Sequence, residues 1–471
     1  FGNTLLSLGV RMEDRVAMLM LDTEKYPMVL FGAIKMGAVP ICLNTLMRPK
    51  DYLYFLNDSR AQALVIDSAL LGCIEDVRSE FKFLKHIIVV NGQGKAGDLS
   101  YDALVANQSD ALETAPTTPD DACFWLYSSG STGQPKGTVH LQHDMAYAAE
   151  TYGKQVLKVR ENDICFSAAK LFFAYGLGNG LYFPFSVGAT AVYLPERPTP
   201  ESVFGTIAKY KPTIYYGVPT LYGAMLAAEG SMAGVRICVS AGEALPADIL
   251  KRWMERFGVE IIDGIGSTEI VHIFISNRQG AVRPGSSGQL VPGYEARIVD
   301  GDFNDVPDGE IGTLLIRGDS IAKCYWNKHE KTKTTMLGEW INTDDKYMRD
   351  KDGFFYYIGR SNDMLKVGGI WVSPIEVEAC LISHPAVLEC AVVGAPDSEN
   401  LIKPRAFVVL NKGFNASAEL EKELKEFVKS ALAHYKYPRW IDFVAELPKT
   451  ATGKIKRFEL KDQIGRASMA T

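Results

Sequence analysis

No two cysteines in this sequence stand close enough to suggest a shared ligand. The eight of them (Cys42, Cys73, Cys123, Cys165, Cys238, Cys324, Cys380 and Cys390) form no C-x-x-C and no Cys/His cluster, which argues against a zinc site. Scattered thiols in apolar surroundings suit a reducing compartment, so a cytoplasmic protein with buried, inert thiols is expected. No apolar run approaches the roughly 18 to 20 residues that span a bilayer, and the start does not resemble a signal peptide. A basic excess is missing too. The net charge of -6 argues against a general nucleic-acid binder, and neither nucleic acid nor a membrane is expected as a partner. Internal repeats and low-complexity tracts are also absent. The chain opens at Phe1, and "FGNTLLSLGVRMEDRVAMLMLDT" reads as entry into a domain already under way, so a preceding N-terminal piece is expected.

What is present is an ordinary globular composition, 47% apolar and 23% charged over 471 residues, long enough for two or more domains. Short β-branched runs ("RVAMLML", "QALVID", "KHIIVV", "ATAVYL", "TIYYGV", "RICVSAG", "VEIIDGIG") alternate with amphipathic stretches at 25–36, 199–210 and 246–257. That alternation predicts an α/β fold with helix-covered parallel sheets in two lobes. After about Arg278, Gly- and Asp-rich turns separate short strands, predicting a small antiparallel, barrel-like β-unit. From "GRSNDMLKVGG" onward the pattern becomes α+β, with helices at 374–382 and 419–432 around the strands "LECAVVGA" and "RAFVVL". The expected division is an N-terminal domain over 1–359, a hinge at 360–363 and a smaller C-terminal domain over 364–471.

The stretch "YSSGSTGQPKG", Tyr127 to Gly137, carries three glycines, four Ser or Thr hydroxyls and Lys136. Backbone N–H groups in such a turn form a concave anion site. It is not the NTPase phosphate loop, because Lys136 follows Pro135 and precedes Gly137 rather than Ser or Thr. By itself such a loop also reads as a plain surface turn.

The full string resembles the signature loop of the adenylate-forming superfamily of acyl-CoA synthetases, peptide-synthetase adenylation domains and luciferases. Four further stretches follow in that superfamily's order: "GIGSTE", "NTDDKY", "GRSNDMLKVGG" and "PKTATGK". The stretches "KLFFAYGLGNGLYFPFSVGATAVYLPERPTP" and "DGIGSTEIVHIFISN" are most similar to benzoate-CoA ligases. The resemblance implies an AMP-forming ligase in which a carboxylate attacks the α-phosphate of ATP, after which the CoA thiol displaces AMP. It also implies that the C-terminal domain is mobile. A small aromatic acid, ATP and coenzyme A are the implied partners, with Mg²⁺ as metal, and a homodimer is an assembly it allows.

Carried residue by residue, the resemblance gives Lys454, Thr268 and Glu269 the catalytic roles, with Glu269 also holding Mg²⁺. Ser128, Ser129, Gly130, Ser131, Thr132, Gly133 and Lys136 would wrap the phosphates. Ala241, Gly242, Glu243, Asp263, Gly264 and Ile265 would line the adenine, and Asp345 with Arg360 would take the ribose. The acid would meet Phe173, Ala174, Tyr175, Gly176, Gly266, His272 and Ile273, with Phe173 as the gate between acid and thiol. Gly368, Gly369 and Trp371 would line the pantetheine tunnel, with help from "HYKYP" at 434–438. Taken alone, Glu269 reads as an ordinary ion-pair partner, Lys454 as a solvated lysine, and the aromatic stretch as core.

The acid segment "FFAYGLGNG" after Lys170 offers aromatic faces and small residues but no Lys or Arg. A flat neutral aryl group therefore fits better than a dicarboxylate. An amino acid would need a buried counter-charge that is missing. The sequence departs from the family at Asn362 in the hinge, at Asp344 in place of Gly, and at Gly368 in place of Ser. Three alternatives stay open: a carrier-protein phosphopantetheine as acceptor, another small acid as substrate, or a binder that inherited the fold without the activity.

Overall fold

Strands whose residues are buried on both faces form two mostly parallel sheets, each with two antiparallel pairings at one end. The computed structural model describes residues 1–128, 134–361, 363–367, 370–397, 401–449 and 455–469, with backbone alone at 371 and 465–469. The first sheet has the order Cys324–Tyr325, Lys136–Leu141, Ala122–Ser128, Val39–Cys42, Arg15–Leu19, Ala63–Asp67, His86–Val90, Leu99–Ser100. Its centre is parallel and only its first two pairings are antiparallel. Ala63–Asp67 is buried at every position, as expected of a strand covered by helices on both sides.

The second sheet runs Gln289–Leu290, Ile273–Ser276, Ile261–Gly266, Ile237–Ser240, Ile214–Gly217, Ile164–Ser167, Thr190–Val192. Its helices end where their sequences tell them to. Thr199 accepts from the Ser202 N–H at 3.2 Å ahead of Pro200–Tyr210, and Gly258 (φ 67°) stops Ala247–Phe257. One apolar cluster containing Leu5, Tyr152, Ile275 and Phe355 joins both sheets.

The barrel-like unit is a five-stranded antiparallel sheet of Glu295–Val299, Gly312–Arg317, Trp340–Arg349, Met336–Leu337 and Phe355–Arg360. Beyond Arg360 the apolar clusters are separate from the first. One gathers Leu365, Val377, Val392, Leu424 and Ile441, and another gathers Val393, Phe407 and Leu460. Here Val387–Pro396, Ile402–Leu410 and Trp440–Phe443 make a three-stranded sheet behind the helices Pro374–Ile382 and Ala418–Ala431. The helix Arg457–Met469 was not foreseen from the sequence. Among the described residues no helix is long and apolar enough to cross a membrane. All eight cysteines are free, five of them buried.

Candidate active site

The anion loop is pinned at both ends, because Ser128 closes one strand and pairs in register with Lys136, which opens the next. Residues 129–133, and with them the predicted Ser129, Gly130, Ser131, Thr132 and Gly133, lie outside the described residues. Glu269 sits on a single 3-10 turn, Thr268–Ile270, just past the strand Ile261–Gly266. Its Oε1 accepts from Ser128 Oγ at 3.1 Å and Tyr325 OH at 2.8 Å, and lies 3.7 Å from Lys136 Nζ. Burial works against the charge of this carboxylate. The Lys136 ammonium and the two hydroxyls outweigh it and hold the carboxyl below its usual range. Burial lowers the Lys136 pKa in turn, with Glu269 opposing, and the Lys136 ammonium sits 4.1 Å from the Tyr325 ring centroid.

The turn that carries Glu269 is held from behind. His140 Nε2 lies 2.8 Å from the Thr268 carbonyl oxygen, Ala322 N donates to Glu269 O at 2.8 Å, and Ser320 Oγ donates to Ile270 O at 2.9 Å. Val271 follows at φ 72°, ψ -46°, a region that a β-branched residue enters only under constraint. That reversal turns the chain from Glu269 to His272. Tyr325 and His140 were not anticipated. In a single sequence a tyrosine in "AKCYWNK" carries no mark of its partner, which only the pairing of Cys324–Tyr325 with Lys136–Leu141 supplies.

Asp345 and Arg360 face each other on paired strands, with Arg360 Nε 2.9 Å from Asp345 Oδ1. The buried Asp345 raises the pKa of the half-exposed guanidinium. Asp344, beside it, has φ 64°, the left-handed region that glycine enters freely and Asp tolerates. Ala241, Gly242 (φ 96°) and Glu243 follow the strand Ile237–Ser240. Asp263 pairs in register with Ser240 on the adjacent strand. Its Oδ1 is buried with no hydrogen-bond partner among the described residues, and burial pushes the carboxyl up to about 8. Gly264, Ile265 and Gly266 complete that strand. A side chain at Gly264 or Gly266 would meet the Ile275 or His272 carbonyl at 2.8 or 2.5 Å.

The predicted acid residues surround a sealed ring. His272 is 2% exposed, and its Nε2 lies 3.1 Å from both the Tyr175 carbonyl oxygen and Asn179 Oδ1. Phe183, Tyr152 and Tyr175 pack on it with centroids 4.5, 5.3 and 5.6 Å away. Burial drops its pKa to about 3, so the ring is neutral. Tyr175 OH donates to the Gly217 and Val239 carbonyls. Gly176 has no room for a Cβ, which would fall 2.0 Å from the Lys170 carbonyl oxygen. Phe173 precedes the short helix Ala174–Leu177 and packs edge-on against Phe172. Ile273 is buried in register with Gly266.

The C-terminal predictions fall largely beyond description. Lys454, Asn362, Gly368 and Gly369 lie outside the described residues, and Trp371 is described only as a strand position paired with Lys366. A bridge pairs Lys449 with Ile455, and Lys436 Nζ reaches both Glu376 oxygens at 2.6 Å. Among the described residues no three His, Cys, Asp or Glu side chains gather into a metal-binding group.

The described residues thus set a Glu269–Lys136 pair, an Asp345–Arg360 pair and an aromatic wall around a neutral His272. The chain belongs to the AMP-binding enzyme family: the model of the AMP-binding enzyme matches residues 1–326 and that of its C-terminal domain matches 376–454. It is 54% identical to a benzoate–CoA ligase of Thauera aromatica, covering 97% of this chain and 87% of that one. To a 4-hydroxybenzoate–CoA/benzoate–CoA ligase of Rhodopseudomonas palustris it is 46% identical, covering 98% and 86%. The crystal structure of an anthranilate CoA ligase with anthranoyl-AMP superposes with TM-score 0.97 at 47% identity, covering 99% and 90%. A benzoate CoA ligase from Burkholderia xenovorans gives 0.91 at 49%, covering 98% and 92%.

Proposed function

We propose that the protein is an ATP-dependent aryl-CoA ligase, converting benzoate or a substituted benzoate to its CoA thioester through an acyl-adenylate. The observation that carries this reading is the contrast within one turn of chain. Glu269 is held ionised beside Lys136, and a few residues on His272 is held neutral among aromatic rings. A phosphate chain needs the first environment and a flat apolar ring the second. Relatives at 54% and 46% identity named as benzoate ligases support the same substrate class.

In the first step an oxygen of the benzoate carboxylate attacks the α-phosphorus of ATP and pyrophosphate leaves. Lys136 with the loop it closes would neutralise the β- and γ-phosphates, Thr268 would bond the α-phosphate, and Lys454 would meet the carboxylate and α-phosphate. Asp345 would accept from the ribose hydroxyls beside Arg360. Asp263 Oδ1, buried without a partner among the described residues, suits the exocyclic amine of adenine. Glu269 fits Mg²⁺, which commonly takes one or two carboxylates together with substrate phosphates, and the ion would neutralise charge on the phosphates. In the second step the CoA sulfur attacks the acyl carbon and AMP leaves. Residues 364–471 would turn about Asn362 between the steps, bringing Gly368, Gly369 and Trp371 to the pantetheine.

The test is pyrophosphate release with ATP across a panel of aryl and aliphatic acids, followed by AMP release with free CoA as the sole acceptor. Benzoates should give both signals. Release that ignores the acid, or that needs a carrier-protein phosphopantetheine, would reject the reading.

A further inference from the structure

Three loops from three strand ends meet at Lys170. Its Nζ donates to the carbonyl oxygens of Leu194, Pro195 and Glu196, the last two at 3.3 and 2.7 Å, and lies 3.8 Å from Asp22 Oδ2. Asp22 comes from the first sheet, just past the strand Arg15–Leu19, whereas Lys170 and Leu194–Glu196 follow strands of the second. Asp22 also receives the Leu171 N–H at 3.3 and 3.4 Å on its two oxygens. The contact is thus a joint between the lobes, and Asp22 is only 3% exposed.

What hangs from this joint is the gate segment. The Lys170 carbonyl accepts from Phe173 N at 3.0 Å. The same carbonyl lies so close to Gly176 that a Cβ there would sit 2.0 Å away. Leu171 and Phe172 are buried in the shared core. A displacement of Lys170 therefore passes to Phe173 through one hydrogen bond and one closed turn, with no slack between. We infer that Asp22 and Lys170 are positioning residues that clasp the two lobes and set where Phe173 stands against the acid. The inference rests on the aryl-CoA ligase reading.

The groups that face Asp22 are few: Lys170 from the loop after Ile164–Ser167, Tyr26 from the helix Lys25–Lys35, Tyr193 after Thr190–Val192, and Cys42 on its neighbouring strand close to Tyr26. Glu196 acts on the lysine from the far side. Tyr26 OH, Tyr193 OH and Thr23 Oγ1 are buried there without hydrogen-bond partners among the described residues, so Lys170 and the Leu171 N–H carry the clasp. Burial raises the Asp22 carboxyl to about 7, with Lys170 pulling it back. Below that pH the carboxylate is protonated and the lysine loses its counter-charge, while benzoate itself stays ionised.

The experiment measures KM for benzoate and for ATP between pH 6 and 8 in the wild-type enzyme, Asp22→Asn, Lys170→Met and the double variant. In the wild type, KM for benzoate should rise about tenfold as pH falls, the scale of one lost buried ion pair. The pH course of KM for ATP, which includes Asp263, should be the same in wild type and variants. Asp22→Asn and Lys170→Met should each hold the higher value at every pH, and the double variant should be no worse than either. A wild-type pH slope retained in Asp22→Asn, equal shifts in both KM values, or additive losses in the double variant would overturn the inference. If one variant fails to fold, the other still decides it. Wild type inactive on every acid would instead reject the ligase reading and this inference with it.

Discussion

Glu269 and His272 are neighbours on one turn, yet the chain keeps them in opposite charge states. Glu269 has a cation, two hydroxyls and a carboxylate's demand for them. His272 has two acceptors on one nitrogen and aromatic rings on its faces. Desolvation acts on both, and Lys136 with the Tyr325 and Ser128 hydroxyls keeps Glu269 charged, whereas burial prevails at His272. The strained reversal at Val271 is what allows the two environments to lie so close without mixing. In the proposed reading Glu269 on the nucleotide side is a partnered charge, and His272 on the acid side a sealed neutral ring.

The hardest blow to the charged side should come from Lys454→Ala, which is expected to cut acyl-adenylate formation by roughly 10² to 10³. Thioester formation from supplied benzoyl-adenylate should be largely spared. Pyrophosphate release and single-turnover thioester assays separate the two, and equal losses would remove Lys454 from the first step. Next, Glu269→Gln should lower pyrophosphate release by about 10² and raise the Mg²⁺ needed for half-maximal rate. Unaltered Mg²⁺ dependence would mean that the carboxylate serves Lys136 alone.

On the neutral side Gly178→Ala should act on the acid and spare the nucleotide. A Cβ there would lie 2.4 Å from His272 Cδ2, so the ring must shift in a packed wall. Overpacking of this kind costs about 1–3 kcal/mol, and KM for benzoate should rise about tenfold while KM for ATP holds. An equal change in both would show that the two environments are mechanically one.

The neutrality of His272 has its own thermodynamic signature. Its folded pKa is depressed to about 3, so between there and its unfolded value of about 6.5 the unfolded chain binds the extra proton. Stability is therefore lost as pH falls through that window, by up to about 1.4 kcal/mol per pH unit. Asp263, raised to about 8, has the opposite sign and costs stability as pH rises through that value. Comparing melting temperatures of wild type and His272→Phe at pH 7.5 and 5 removes the shared background. The variant should gain relative to wild type on acidification, and parallel curves would mean that the folded ring titrates as the unfolded one does.

Much of this was legible in the sequence because strands with β-branched runs and helices with Pro, Thr or Gly at their ends declare themselves locally. The helices at 200–210, 247–257 and 374–382 fall within a residue of where the pattern placed them. The pairing of Lys136 with Glu269 was not legible as a contact, since it joins residues from different sheets. The same holds for Tyr325, His140 and the Asp22–Lys170 joint, each of which unites segments far apart in the chain. Motif resemblance named Glu269 and Asp345 by position. It also named Ser128, Lys136 and Arg360, but not their contacts with Glu269 and Asp345.

Asp344 offers the smallest and sharpest test of the charged side. Its φ of 64° explains why glycine is at home there, and its backbone is fixed from both directions. Asp344 N donates to Asn342 Oδ1 at 2.9 Å, and Asp344 O accepts from Ser361 N at 3.0 Å. In Asp344→Gly the relieved left-handed strain, about 1 kcal/mol, is offset by the greater freedom of the unfolded glycine, about 0.4–1 kcal/mol. The melting temperature should therefore barely move. What should change is nucleotide affinity. The substitution removes one carboxylate from beside Asp345, where polyphosphate must approach, and a half-exposed charge at this range is worth about 0.2–1 kcal/mol. KM for ATP should fall about two- to fivefold at low ionic strength, and the gain should shrink as salt shortens the screening length toward 8 Å. A fall that ignores salt would point to backbone geometry as the cause. No fall would mean that the nearby Arg360 guanidinium already cancels the added charge.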